Sequence, residues 1–257
     1  MFRGTLFIGL FMVLTHTLMA QSSNNNNTSD ARPKADALWN LDAIVSAELP
    51  GADMAKRFGY CFRIGPGVRY KTNTNWILGG RFEFLTGNQM RDDSLLWNVK
   101  TSLGGLITQG GDVLNVGTFL RGYTAGVQLG KILPFWQANP NSGPTLMSSF
   151  GFMQYKINLF DRDNAFPQIR DEYKKGYDRL TNGLYLEPFV GYTYYDKKKF
   201  INFFAGFNFL LGFTQGRRDY LFDLQRPDTG ARFDVLSGFK MGWVLPIYKK
   251  NVEDIYY

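Results

Sequence analysis

The chain is poor in the residues that metal and redox chemistry use. Among its 257 residues are one cysteine, Cys61, and one histidine, His16. A single cysteine excludes an intrachain disulfide framework and a cysteine-ligated zinc site. His16 falls inside residues 1–20, which read as an export signal, so the mature chain would hold no histidine. Long apolar runs are missing as well. Beyond residue 20 no stretch of about 18 apolar residues occurs, which excludes a transmembrane helix. Charged residues are 20% of the chain, slightly lean for a soluble surface. GxSxG, HExxH and phosphate-loop patterns are all absent.

The N-terminus has the parts of a secretory signal. Arg3 supplies the positive start, Leu6–Leu14 the apolar segment, and Ala20 a small residue before the expected cut, although Leu18 is larger than that site prefers. No cysteine follows, so the signal is not of the lipoprotein kind. Cleavage removes Arg3 and leaves 28 basic against 22 acidic residues. The polar, Asn-rich stretch at 21–37 cannot bury enough apolar surface to order itself and is expected to be a flexible leader.

What is abundant is aromatic residue and glycine: 23 Phe, 14 Tyr, 5 Trp and 28 Gly. They are arranged with a period of two, the signature of strands. In 200–214 the odd positions Ile201, Phe203, Ala205, Phe207, Phe209, Leu211 and Phe213 are apolar, and the even ones include Asn202, Gly206, Asn208, Gly212 and Thr214. In 38–49, Trp39, Leu41, Val45 and Leu49 oppose Asn40, Asp42, Ser46 and Glu48. In 58–71, Phe58, Tyr60, Phe62, Ile64, Val68 and Tyr70 oppose Cys61, Arg63, Arg69 and Lys71. The stretches 76–85, 119–131, 184–195 and 233–247 repeat the pattern, with Arg81, Glu83, Glu187 and Lys240 on their polar faces. The stretch 145–158 also reads as a strand, but its alternation is muddled and its faces cannot be assigned.

Eight such strands, each about 10–15 residues long, suit a tilted bilayer crossing better than the about 5–6 residues of soluble strands. Short connections at 71–75, 135–142 and 196–199 alternate with longer loops at 87–112, 159–182 and 215–232. The expected fold is therefore all-β: an eight-stranded antiparallel up-and-down transmembrane β-barrel over 38–248, with both termini and the tail 249–257 on the short-turn, periplasmic side. Aromatic residues near strand ends, such as Trp39, Trp76, Tyr194 and Trp243, fit interfacial girdles. A soluble barrel would point its apolar face inward, and charges in mid-strand argue against that. Inside so narrow a barrel, Asp42, Glu48, Arg63, Arg69, Arg81, Glu83, Glu187 and Lys240 are expected to pair across the lumen. Gly65-Pro66-Gly67 reads as a bend or close-packing site within its strand, and Cys61 as a buried inert thiol.

The chain resembles small outer-membrane barrels of the OmpX and OmpA-transmembrane-domain type, and more closely barrels of Bacteroidota, including the PorT-like group. The resemblance covers about residues 36–248 and rests on the architecture and on the strings GADMAKRFG (Gly51–Gly59), NPNSG (Asn139–Gly143) and KKGYDRLTNG (Lys174–Gly183). It implies outer-membrane lipid as surroundings and insertion by the barrel-assembly machinery. Lys240, Gly242, Leu245 and Ile247 resemble the terminal-strand signal which that machinery reads, although ten residues follow Ile247.

No cofactor, metal or nucleic-acid site is expected. Outer-membrane barrel enzymes, a different group from the barrels resembled, are alike in needing a histidine as acid or base. The carboxylate pairs Asp161/Asp163 and Asp171/Glu172 are weak substitutes and read as solvated loop charges. The expected role is non-enzymatic: a structural or interaction protein serving as a subunit of a secretion or uptake complex. The alternative is a narrow channel or a lipid- or small-molecule-binding barrel. Ile255, Tyr256 and Tyr257 in the tail are candidate contacts for an outer-membrane or periplasmic protein partner.

Overall fold

The computed structural model describes residues 35–247, apart from 93, 162–163 and 197–200. The expected signal, most of the leader, the Lys197–Lys199 turn, Asp163 and the tail with Ile255, Tyr256 and Tyr257 lie outside the described residues. In chain order the strands are β1 (Leu38–Gly51), β2 (Cys61–Lys71), β3 (Trp76–Gly87), β4 (Leu106–Ile107), β5 (Val113–Leu114), β6 (Gly117–Ile132), β7 (Gly143–Phe160), β8 (Thr181–Tyr195), β9 (Asn202–Gly216), β10 (Arg218–Leu221), β11 (Arg226–Asp228) and β12 (Ala231–Ile247).

The eight long strands pair antiparallel in chain order, and β1 pairs with β12 to close the barrel. This is the eight-stranded up-and-down architecture that the alternation predicts. Closure leaves no strand edge, so every ladder position has a partner strand. The four short strands form two hairpins inside the long loops, β4–β5 and β10–β11. They are too brief to show as alternation in the sequence.

The faces sort as the period-two reading requires. Trp39, Leu41, Val45 and Leu49 are exposed, whereas Asn40, Asp42, Ser46 and Glu48 are buried. On β9, Phe203, Phe207, Phe209 and Phe213 point out, while Asn208 and Thr214 point in. Outward rings touch between strands: Phe82 stacks on Tyr123 at 5.7 Å, and Phe207 meets Phe239 edge-on at 5.7 Å. At the turn end Trp39 packs on Tyr70 at 5.1 Å, and the Lys131 ammonium lies 4.9 Å from the Trp76 ring. Gly65 has a steric reason: a Cβ there would stand 1.9 Å from the carbonyl oxygen of Phe82.

One expectation is corrected. Phe58 is not an outward strand residue; it lies before β2, is buried, and belongs to the apolar core under the loops. Another gap is filled by β7. Near the turns it follows the rule, with Leu146, Phe150 and Phe152 out and Thr145 and Ser149 in. Beyond Phe152 it inverts: Met153, Tyr155, Ile157 and Leu159 are buried, and Gln154, Lys156 and Asn158 face outward. The alternation looks muddled because one strand passes from an apolar exterior into a polar one. Its neighbours change at the same height. Arg121 sits opposite Thr86 and Lys156, and Asn182 opposite Gln154 and Gln215.

The molecule therefore has two zones. The lower one is a belt with an apolar outside and an inside of paired charges and packed apolar side chains. The upper one is built like a soluble protein, with an apolar core of barrel and loop residues that includes Met54, Leu95, Leu96, Leu106, Phe166, Ile169 and Tyr177.

Candidate functional site

The centre of the lumen holds a ring of charges delivered by inward positions of adjoining strands. Arg63 on β2 is its hub and is fully buried. Its Nε donates to Glu48 Oε2 at 2.9 Å and its Nη2 to Glu48 Oε1 at 2.5 Å. Nη1 reaches Glu83 Oε2 at 2.9 Å and Glu187 Oε2 at 3.0 Å, and Nη2 reaches Glu187 Oε1 at 2.7 Å. All five guanidinium N–H donors are thus used, which only a planar fork surrounded by carboxylates achieves.

Lys240 on β12 donates to Glu83 Oε1 at 2.9 Å and to Glu187 Oε1 at 2.7 Å. Arg81 bonds Glu187. Asn208 Nδ2 adds bonds to Glu48 Oε1 at 2.6 Å and Glu187 Oε1 at 3.1 Å, and Thr124 lies 3.5 Å from Glu83 Oε2. Strands β1, β2, β3, β6, β8, β9 and β12 all contribute. Three cations face three carboxylates, so the cluster is electroneutral, which is the condition under which buried charge is tolerated.

Sequence reasoning groups eight charges; the structure brings six together. Asp42 and Arg69 stand apart, nearer the turns, as a bidentate pair, with the Arg69 guanidinium 4.5 Å from the Phe204 ring centre. The split follows the pleat: residues six apart on one strand face are about 20 Å apart along it. Around this pair the apolar side chains of Leu38, Ile44, Ile77, Ile132, Phe189 and Val244 pack in the lumen, Leu38, Ile77 and Ile132 at the turn ends of their strands and Ile44 on the loop side of Asp42. The turn end is closed by the NPNSG string. Asn141 Oδ1 accepts from Lys71 Nζ at 2.8 Å and from the Asp36 amide at 2.8 Å, and Asn139 Nδ2 donates to the Tyr195 carbonyl at 2.5 Å.

The opposite end is closed by the long loops. Arg179 bonds Asp92 from one loop and Asp223 from another, the latter at 2.5 Å. Trp97 Nε1 donates to the Asp223 carbonyl at 2.7 Å, and Asn98 Nδ2 to Tyr177 Oη at 3.2 Å. Asp178 holds Arg218 through two bonds, at 2.7 and 2.5 Å, and these hydrogen bonds raise the Arg218 pKa above its ordinary value. The string KKGYDRLTNG thus carries the fastening that unites three loops. Nothing in strand periodicity marks these residues, because loop pairing has no period.

The remaining candidates are placed without being gathered into a site. Asp161 accepts the Ala165 amide at 2.9 Å, and exposed Glu172 pairs with Lys175 at 2.9 Å. Among the described residues no three His, Cys, Asp or Glu side chains are placed to hold a metal ion. Cys61 is buried, its thiol 3.7 Å from the Glu48 carbonyl. Of the expected assembly residues, Lys240 lies in the charge cluster, Leu245 and Ile247 are exposed, and Gly242 faces Phe204, whose ring a Cβ would meet at 2.2 Å.

No family model and no curated protein matches this chain. Among solved structures it is similar to Ail, the attachment invasion locus protein of Yersinia pestis, crystallised in complex with the heparin analogue sucrose octasulfate. That match has a TM-score of 0.41 and 10% identity, covering 81% of this chain and 99% of the other. Neisserial surface protein A gives a TM-score of 0.41 and 10% identity over 79% of this chain and 95% of the other. The N-terminal β-barrel domain of Pseudomonas aeruginosa OprF gives 0.36 and 11% over 82% and 99%.

Proposed function

We propose that the chain is an integral outer-membrane barrel with a non-conducting lumen, acting through its surface as a non-enzymatic structural or interaction protein. The observation that carries this reading is a lumen filled from end to end: the Asn139–Gly143 turn, the Asp42–Arg69 pair with apolar side chains packed around it, the six-charge cluster and the loop core follow one another along the axis. Eight strands enclose a bore that side chains can fill. An ion passing through would have to separate buried paired charges, at several kcal/mol each.

Residence in lipid is supported by the belt of exposed Phe, Leu, Val and Trp on the lower strands, a surface too apolar for water. Lys240, Gly242, Leu245 and Ile247 are the proposed signal for the assembly machinery. The fastened loops form a rigid outer face, and the mouth near the termini is the other available face. Either suits a protein partner, such as the rest of a secretion or uptake complex. The test is conductance in planar bilayers: wild-type protein should give no stable open state. A persistent conductance of porin size would overturn the reading.

A further inference from the structure

One cleft in the upper zone has cations without counter-ions. It lies between the β1–β2 loop and the β10–β11 hairpin, encloses roughly 350 Å³, and is lined by Lys56, Arg57, Arg226 and Arg232 together with Asp53 and Asp228. Both carboxylates already hold a cation, Asp228 through Oδ1 only, its Oδ2 being buried without a hydrogen-bond partner. Asp53 holds Lys56 at 2.7 Å and accepts the Phe233 amide at 3.0 Å, and Asp228 holds Arg232. Four cations against two anions leave Arg57 and Arg226 with no ion pair among the described residues.

Arg57 makes this imbalance costly. Its Nη1 is buried and has no hydrogen-bond partner. Burial, followed by repulsion from Arg232, lowers its pKa from the ordinary guanidinium value, the sign of a charge lacking its complement. Arginine cannot relieve this by giving up its proton at any physiological pH. A bound oxyanion would relieve it, and the guanidinium fork matches phosphate oxygens two at a time. Two unpaired cations also match the charge of about −1.5 to −2 on a phosphate monoester. The cleft has room at its mouth, where nothing stands within 4 Å of a Cβ built on Gly230.

Its height points to the source. Phe233 is the last outward aromatic of β12, in register with Phe213, and Ala231 at the cleft wall is two residues further along. Two residues of strand are about 7 Å, which puts the cleft just above the apolar belt. We propose that this cleft binds a phosphate group carried by the headgroup of a lipid in the surrounding leaflet. The lipid source rests on the proposed residence of the barrel in a membrane; the phosphate chemistry does not.

Two measurements separate these parts. In neutral detergent, calorimetric titration with inorganic phosphate at constant ionic strength should show saturable binding, weakened at least tenfold in Arg57→Gln and in Arg226→Gln. Lys131→Gln, at the far rim, should bind as wild type. Without phosphate, Arg57→Gln should unfold at the same or a higher temperature, because it removes a partly buried charge that has no ion pair. Should Arg57→Gln misfold, the exposed Arg226 position still decides between binding and no binding. In neutral-lipid nanodiscs doped with phosphatidic acid, native mass spectrometry should find phosphatidic acid retained by wild type and lost from both arginine variants. Phosphate binding without lipid retention would overturn the headgroup source and assign the cleft to a soluble phosphate ester. Absent phosphate binding, or binding unchanged in both arginine variants, would overturn the site itself.

Discussion

Arg63 touches three carboxylates from three other strands, and its removal would leave Glu48, Glu83 and Glu187 facing only Arg81 and Lys240. An uncompensated buried charge costs about 3–5 kcal/mol, so Arg63→Met should lower the folding free energy by that amount in urea titrations from detergent. A loss under about 1 kcal/mol would mean that water reaches the cluster. The neighbouring pair Phe207 and Asn208 tests the two faces. Phe207 is exposed in the belt, and under the proposed residence in lipid Phe207→Arg should cost about 2–4 kcal/mol. Alternation alone makes Asn208 a tolerant luminal position. The structure makes it a donor to Glu48 and Glu187, so Asn208→Asp replaces a donor by a carboxylate among carboxylates. It should cost about 1–3 kcal/mol rather than nothing, in the same assay. A neutral Asn208→Asp would show that its two bonds contribute little.

The strand elements are legible in the sequence because each keeps one environment along most of its length. β7 is the exception, because Gly143–Phe152 borders the apolar belt and Met153–Phe160 borders the loop core. Its period is intact; only the meaning of the faces changes midway. The strings behind the family resemblance lie at strand ends and in loops, not in mid-strand. Asn139–Gly143 closes the turn end, Lys174–Gly183 fastens the loops, and Gly51–Gly59 supplies Met54 and Phe58 to the core beneath them. The loop fastening should be separable from the barrel. Arg179→Ala removes bonds to Asp92, Ser94 and Asp223, and charged hydrogen bonds are worth about 1.5–3 kcal/mol each. Limited proteolysis should then cut within 87–117, 160–181 or 216–231 at least tenfold faster, while the strands stay protected. Equal rates would place the strength of the cap in its apolar core.

As a whole molecule, the closed barrel has no edge at which unfolding can begin. Unboiled protein in dodecyl sulfate should therefore migrate differently from boiled protein on a gel. Identical migration, with extraction from membranes by carbonate, would remove the membrane reading. The sequence by itself determined the class of fold, the number of barrel strands and the outward face of seven of them, because a pleat exposes alternate residues whatever lies beside it. It also named the charges that must be inside. Which charges meet was decided only by the tertiary structure. Stagger between strands sets the height of each residue along the axis, so Glu187 reaches Arg63 from 124 residues away while Asp42 and Arg69 form a pair of their own. The same holds for Arg57 and Arg226: their lack of partners depends on where two loops come to rest, and no period in the chain records that.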